Sequence, residues 1–109
     1  MSERDPHKAV DYIIANASKF AQARANRVYL EEFRKSKKAM LMKQSSESSA
    51  VAQERDAYAH PEYLGLLDGL RQAVETEEKL RWDLIAAQAR VEVWRTEQAT
   101  ARAEGRAAQ

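Results

Sequence analysis

The sequence of 109 residues has no cysteine, three glycines and two prolines, and each shortage excludes something. Without cysteine, a disulfide framework and thiol chemistry are excluded. The scarcity of glycine and proline leaves few turn signals along the chain. No run of about 18 apolar residues occurs, so we expect no membrane-spanning helix. Residues 1–10 also lack the basic and apolar regions of a secretory signal, and we therefore expect a cytoplasmic protein.

What the chain has in quantity is alanine, glutamate, glutamine, arginine, lysine and leucine, which is the composition of long helices. We predict one all-α domain over residues 1–109. Asp5 followed by Pro6 is a strong helix start, because aspartate accepts from unpaired backbone N–H groups and proline is tolerated in the first turn. The residues "QSSESS" and His60-Pro61 read as breaks, and Gly105 as a C-terminal stop. The predicted elements are a long helix at about 6–44, a serine-rich joint at 45–49, a short helix at about 50–59 and a long helix at about 61–104.

The C-terminal helix contains a regular apolar seam in which residues alternate in steps of three and four, a pattern typical of coiled coils. The first helix carries an apolar stripe that can pack against it. The sequence therefore predicts an antiparallel, coiled-coil-like helical hairpin with a short middle helix. The seam consists of Tyr63, Leu66, Leu70, Ala73, Glu77, Leu80, Leu84, Ala87, Val91, Trp94, Gln98 and Ala101, and the stripe of Val10, Ile13, Ile14, Ala17, Phe20, Ala21, Arg24 and Val28.

Arg24 and Glu77 are charged members of these two lines and fall at matching heights of the predicted hairpin. A buried charge without a partner is costly. We therefore predict a buried ion pair between Arg24 and Glu77. The alternative is that each side chain reaches solvent separately.

Both long helices carry more apolar surface than one hairpin can bury. Large exposed apolar patches are rare on monomers, and the short middle helix cannot cover both extra stripes. We therefore expect a homo-oligomer, most simply a dimer; the alternative is a three-helix bundle that folds back on itself. The predicted protein-interface residues are Leu30, Phe33 and Met40 on the first helix and Trp82, Ile85 and Val93 on the last.

Charge is distributed unevenly along the chain. Residues 19–43 carry a net charge of +6 and residues 44–109 a net charge of −4, although the whole chain is at +1. A row of cations can neutralise phosphates, and nearby aromatic side chains can stack on the bases of a single strand. The alternative is that oppositely charged helices attract each other within the hairpin. The predicted phosphate-contacting residues are Arg27, Arg34, Lys35, Lys37 and Lys38.

Patterns that indicate catalysis are missing. His7 and His60 stand far apart and outside any metal-ligand spacing, and no glycine-rich phosphate loop or dinucleotide fingerprint occurs. Thin helical rods offer few concave sites where catalytic groups could converge. We therefore predict no enzyme activity, no metal and no cofactor.

Three segments, "NRVYLEEFRKSKKAMLMKQ", "HPEYLGLLDGL" and "LRWDLIAAQARVEVWRTEQAT", resemble small uncharacterised helical proteins of tailed phages and prophages of Gram-negative bacteria. The resemblance extends from about Asp11 to Arg102 and includes no catalytic motif. Such genes tend to lie in early regions beside recombination and replication functions. The resemblance implies an accessory protein in the host cytoplasm. It would contact DNA without sequence preference, or a recombinase, a nuclease or a single-strand-binding protein. The alternatives are an adaptor or inhibitor of a host enzyme and a purely structural homo-oligomer.

Overall fold

A computed structural model describes residues 5–108 of the chain, and within this range the fold is all-α. The chain forms an antiparallel helical hairpin with a short middle helix, as the sequence predicts. The three helices are α1 (Pro6–Gln44), α2 (Ala50–Ala59) and α3 (Pro61–Ala108).

The start of α1 is fixed by the two residues that the sequence singled out. Pro6 is the first helical residue, where its missing N–H is not needed. Asp5 stands before it, and its side-chain Oδ1 accepts a 2.9 Å hydrogen bond from the backbone N–H of His7. Asp5 therefore satisfies one of the donors that a helix start leaves unpaired.

The serine-rich segment 45–49 separates α1 from α2, because its hydroxyl groups hydrogen-bond locally. The Ser45 hydroxyl donates to the Asp56 carboxylate at 2.6 Å. Ser49 caps α2, and its Oγ accepts from the backbone N–H of Ala52 at 3.2 Å. The segment is thus a break in the helix, held by side-chain hydrogen bonds to α2.

His60 is the single residue between α2 and α3, and it serves both helices. Its backbone N–H donates to the Ala57 carbonyl at the end of α2. Its ring Nδ1 accepts a 3.0 Å hydrogen bond from the backbone N–H of Glu62 in the first turn of α3. Pro61 prevents α2 from continuing and opens α3.

The C-terminal end of α3 differs from the prediction. Gly105 was expected to stop the helix after Glu104, but α3 continues to Ala108. A glycine stop requires a left-handed backbone, and no glycine among residues 5–108 has a positive φ. A glycine inside a helix costs only about 1 kcal/mol, and its chain neighbours, Glu104 and Arg106, favour helix.

The chain divides into two compact units. Unit 2 comprises residues 21–78 and contains α2 together with the parts of α1 and α3 on either side of it. Its core is a cluster of Leu41, Ala57 and Tyr63, against which Met42 and Leu67 pack. One residue from each helix therefore meets in the core, which is how the short middle helix is attached to the hairpin.

Unit 1 comprises residues 1–20 and 79–109, of which 5–20 and 79–108 are described. Ala9 of α1 and Ala87 of α3 are buried here. The predicted α3 seam is confirmed from Tyr63 to Val91, where its members are buried or half-buried, but its predicted continuation through Trp94, Gln98 and Ala101 is exposed. Every described residue after Val91 is exposed.

The buried line of α1 shares Ile13 and Phe20 with the predicted stripe but otherwise runs one residue away from it. Val10, Ile14, Ala17 and Val28 were expected in the seam but are exposed. The observed line contains three polar residues among its members, so apolarity alone favoured the neighbouring line. The observed line consists of Ala9, Ile13, Asn16, Phe20, Ala23, Arg27, Leu30, Lys37 and Leu41.

Candidate functional site

Unit 2 contains an open groove of about 620 Å³ formed by α1, α2 and the start of α3. Its cationic side chains belong to α1, and its aromatic side chains are Tyr58 of α2 and Tyr63 of α3. The two rings meet edge to face, with centroids 5.3 Å apart. Tyr63 is buried and Tyr58 is exposed, so the core tyrosine fixes the orientation of the accessible one. The lining residues are Arg34, Lys35, Lys38, Ala39, Met42, Tyr58 and Tyr63.

Lys38 is held inside the groove by two contacts. Its Nζ lies 4.7 Å from the centroid of the Tyr58 ring and 3.5 Å from a carboxylate oxygen of Glu54. A hydrogen bond with Tyr58 and the negative charge of Glu54 raise the pKa of Lys38 above its ordinary value. Lys38 is therefore a protonated cation in a fixed position, and the nearby Glu54 carboxylate offsets part of its positive charge.

The other three predicted phosphate contacts on this side of α1 differ in availability. Lys37 forms an ion pair with Glu62 at 3.2 Å, and its side chain is only 20% exposed. Lys35 is exposed and lies 3.4 Å from Glu32, which is also exposed. Exposed pairs of this kind contribute little and exchange readily. Arg34 is exposed and lines the groove, so it is an accessible member of the predicted set.

Arg27 is not a surface cation but the partner of buried Glu77. Its guanidinium donates from Nε and Nη2 to the two carboxylate oxygens of Glu77, and from Nη1 to Glu31 at 3.0 Å. The hydrogen bonds with Glu77 and then Glu31 raise the pKa of Arg27. The predicted partner of Glu77 was Arg24, and that prediction is wrong, because Arg24 is exposed on the neighbouring line of α1. Arg27 occupies the seam position three residues further along.

The folded unit 2 does not keep the basic character of its first helix. Nine bases and ten acids give residues 21–78 a formal net charge of −1. The acids of α2 and α3 are brought against the cations of α1, as in the Lys37–Glu62 and Lys38–Glu54 pairs. Attraction between oppositely charged helices therefore accounts for much of the charge pattern.

The interface residues predicted on α1 fall into two groups. Leu30 and Phe33 are half-buried, and the Phe33 ring stacks on Tyr29 with centroids 5.8 Å apart. Leu30 was expected opposite the seam but belongs to the buried line that contains Arg27. Met40 is 48% exposed. Only Met40 of these three thus offers a substantial apolar contact surface.

The interface residues predicted on α3 all lie in unit 1 and are exposed. Trp82 is 57% exposed, Val93 53% and Ile85 37%. The Arg81 guanidinium lies over the Trp82 ring, 4.8 Å from its centroid. This leaves an apolar surface on the side of α3 that the seam does not use.

Among residues 5–108, no group of three or more histidine, cysteine, aspartate or glutamate side chains is placed to hold a metal ion. In the same range, none of the helices combines the length and apolarity needed to cross a bilayer.

Sequence reasoning missed the tyrosine side of the groove. Tyr58 and Tyr63 stand five residues apart on two different helices, and only the His60-Pro61 break brings the rings together. The one signal available was the aromatic pair flanking that break.

Comparison of the chain with protein-family models, curated proteins and solved structures found no match. The resemblance to phage proteins therefore stays a prediction.

Proposed function

We propose that this chain is a non-enzymatic phage accessory protein for DNA recombination or replication that acts in the host cytoplasm. It contacts a single DNA strand, or the strand together with the protein that processes it, through the groove of unit 2. It has no cofactor, and it works as an assembly with itself.

The observation that carries the proposal is the composition of the groove, where three cations of α1 face two tyrosines. An accessible ring supplies a stacking platform for a base of any sequence. Tyr58 is 43% exposed, and the Lys38 ammonium lies over its ring, so a base that stacks on Tyr58 uses the opposite face or displaces Lys38. Arg34 and Lys35 lie one helical turn earlier on the same wall and suit the neighbouring phosphate. A cationic edge beside a stacking ring is a pattern typical of sequence-independent single-strand binding.

The ion pairs limit how strongly this groove binds. Three cations line it, and two of them already face Glu32 and Glu54. Release of about three counterions gives a slope of about −2 in a plot of log affinity against log salt concentration for a single strand. The near-neutral charge of unit 2 also means that long-range steering is weak. We therefore expect modest affinity and a shallow salt dependence.

Fluorescence anisotropy of labelled oligonucleotides, titrated with protein between about 50 and 200 mM salt, tests the proposal. We expect single strands to bind better than duplexes, with the shallow slope given above. Arg34→Glu and Tyr58→Ala should each weaken binding at least several-fold. Arg24→Glu is the matched control, because Arg24 is an exposed arginine of the same helix outside the groove. Absence of binding at the lowest salt concentration, or equal loss in Arg24→Glu and Arg34→Glu, would overturn the proposal.

A second candidate function is favoured by the exposed apolar surface of unit 1. Trp82, at 57% exposed, is the kind of aromatic side chain that anchors protein interfaces. In this function the chain is an adaptor or inhibitor of a host enzyme, or a structural assembly protein. Partner binding would then ignore salt concentration and fail in Trp82→Ala, whereas DNA binding in the groove would be unchanged by that substitution.

A further inference from the structure

The helix α3 carries a second apolar line that its own hairpin leaves uncovered. Trp82, Ala86, Ala89 and Val93 follow each other in steps of four, three and four, which is the spacing of a coiled-coil seam. All four side chains are exposed. At 100° per residue this line lies opposite the first seam, to which the buried Ala87 belongs.

We propose that this second seam pairs antiparallel with the same seam of a second copy of the chain, forming a two-fold symmetric dimer. The proposal deepens the self-association stated under the proposed function. In the register that matches the steps of three and four, Trp82 of one copy lies opposite Val93 of the second copy. Ala86 lies opposite Ala89, and the two-fold axis passes between residues 87 and 88.

The side chains of this line suit a second copy of the same helix. Two-fold symmetry places one surface against itself, so that every contact occurs twice. The central alanines let two helix backbones approach closely, and the large residues at the two ends fill the space beside them. Trp82 alone presents on the order of 100 Å² of apolar surface.

The charged residues beside the line are complementary in the same register. Asp83 and Arg90 occupy the same flank, seven residues apart, and the antiparallel pairing brings Asp83 of each copy next to Arg90 of the other. Within its own chain, Asp83 also accepts a 2.8 Å hydrogen bond from Lys79. In a parallel pairing residues 83 and 90 would face the other flank of the second copy, so only the antiparallel arrangement brings Asp83 next to Arg90. The apolar line spans only four positions, and we therefore expect a dissociation constant in the micromolar range.

Sedimentation velocity of the full chain, from about 1 to 100 µM, tests the dimer. The unmodified chain should shift from monomer to dimer over this range. Ala89→Glu should weaken the dimer at least tenfold, because it places a carboxylate on each side of the axis. Ala101→Glu is the matched control: it makes the same change at an exposed alanine of α3 off this line, and it should leave dimerisation unchanged. A monomer at the highest concentration, or a dimer insensitive to Ala89→Glu, would overturn the proposal.

The register has its own test, because the natural chain has no cysteine to interfere. A mixture of the Ala86→Cys and Ala89→Cys chains should form a crossed disulfide under mild oxidation more readily than either chain alone. Equal crosslinking in all three samples would overturn the register. Anisotropy with labelled single strands, run on the Ala89→Glu chain, separates this inference from the proposed function. Loss of the dimer with DNA binding retained assigns the two activities to separate surfaces, as the positions of Ala89 in unit 1 and the groove in unit 2 predict.

Discussion

Replacing Leu41 with alanine should destabilise the fold more than other single truncations of α1. Leu41 is 3% exposed and packs against Ala57 of α2 and Tyr63 of α3. The substitution removes three buried carbons, worth about 2.4 kcal/mol at about 0.8 kcal/mol each. The cavity left behind adds to this loss, because three helices meet at this point and cannot close the gap together. We expect the free energy of unfolding to fall by about 3 kcal/mol, within the 2–5 kcal/mol of buried leucine truncations.

The assay is urea unfolding followed by the far-ultraviolet circular dichroism of the helices. Met40→Ala is the matched control, because Met40 precedes Leu41 in the chain, has a similar volume and is 48% exposed. It should cost less than about 1 kcal/mol. All chains are compared at one concentration and again at tenfold dilution, so that any contribution from self-association appears as a concentration dependence.

Two results would refute this account of the core. One is a loss of less than about 1 kcal/mol for Leu41→Ala, which would mean that the three helices are not held together at this point. The other is an equal loss in Met40→Ala, which would place the wrong face of α1 in the core. An unchanged urea m-value in the variants is required in either case, since a changed slope would signal a different unfolding reaction.

Three other predictions concern charge and backbone. Arg27→Ala should lower the urea midpoint, because it removes the arginine that donates two hydrogen bonds to buried Glu77. Arg24→Ala should leave the midpoint unchanged. A larger loss in Arg24→Ala than in Arg27→Ala would instead support the pair of Arg24 with Glu77 that the sequence predicts. The Lys79 hydrogen bond holds the pKa of Asp83 below its ordinary value of 3.8, so its contribution to stability is complete above that value and is lost as pH falls through the lowered pKa. The urea midpoints of Asp83→Asn and the unmodified chain should therefore differ at neutral pH and converge in acid. Among the glutamates of residues 5–108, a glutamate-specific protease should cut first after Glu47, which lies outside the helices, and an earlier cut after another of them would contradict this.

The helix boundaries of this fold were predictable because local chemistry sets them. Proline at positions 6 and 61 and the serine hydroxyls at 45–49 act on backbone groups a few residues away, so their effect can be inferred without the partner helix. The α3 seam was predictable for a similar reason, since its apolar members from Tyr63 to Val91 repeat with few polar interruptions. The end of α3 was not, because a glycine permits a left-handed stop without requiring one.

The seam of α1 shows where such inference fails. A line of residues is buried because the partner helix meets it, and a short apolar stripe gives only the average direction of that contact. Asn16 lies in the buried line, yet its amide donates to the Tyr12 carbonyl at 2.8 Å and so needs no partner from α3. Arg27 likewise lies in the buried line because its guanidinium donates hydrogen bonds to Glu77. A hydropathy pattern assigns polar residues to the surface, and so it misses those that are buried because they have hydrogen-bond partners within the fold.

The same reasoning changes what the charge pattern means for function. A net charge of +6 over residues 19–43 suggests a phosphate-binding helix only if that helix stands alone. Folding places Glu54, Glu62 and Glu77 against three of its cations, and unit 2 becomes nearly neutral. The cationic feature that remains for DNA is local. Arg34 is exposed on the wall of the groove, near the Tyr58 ring on which a base can stack. The binding energy for DNA must then come from those few contacts and not from long-range electrostatic attraction. The Arg34 and Tyr58 substitutions should therefore weaken DNA binding more than any change in overall charge.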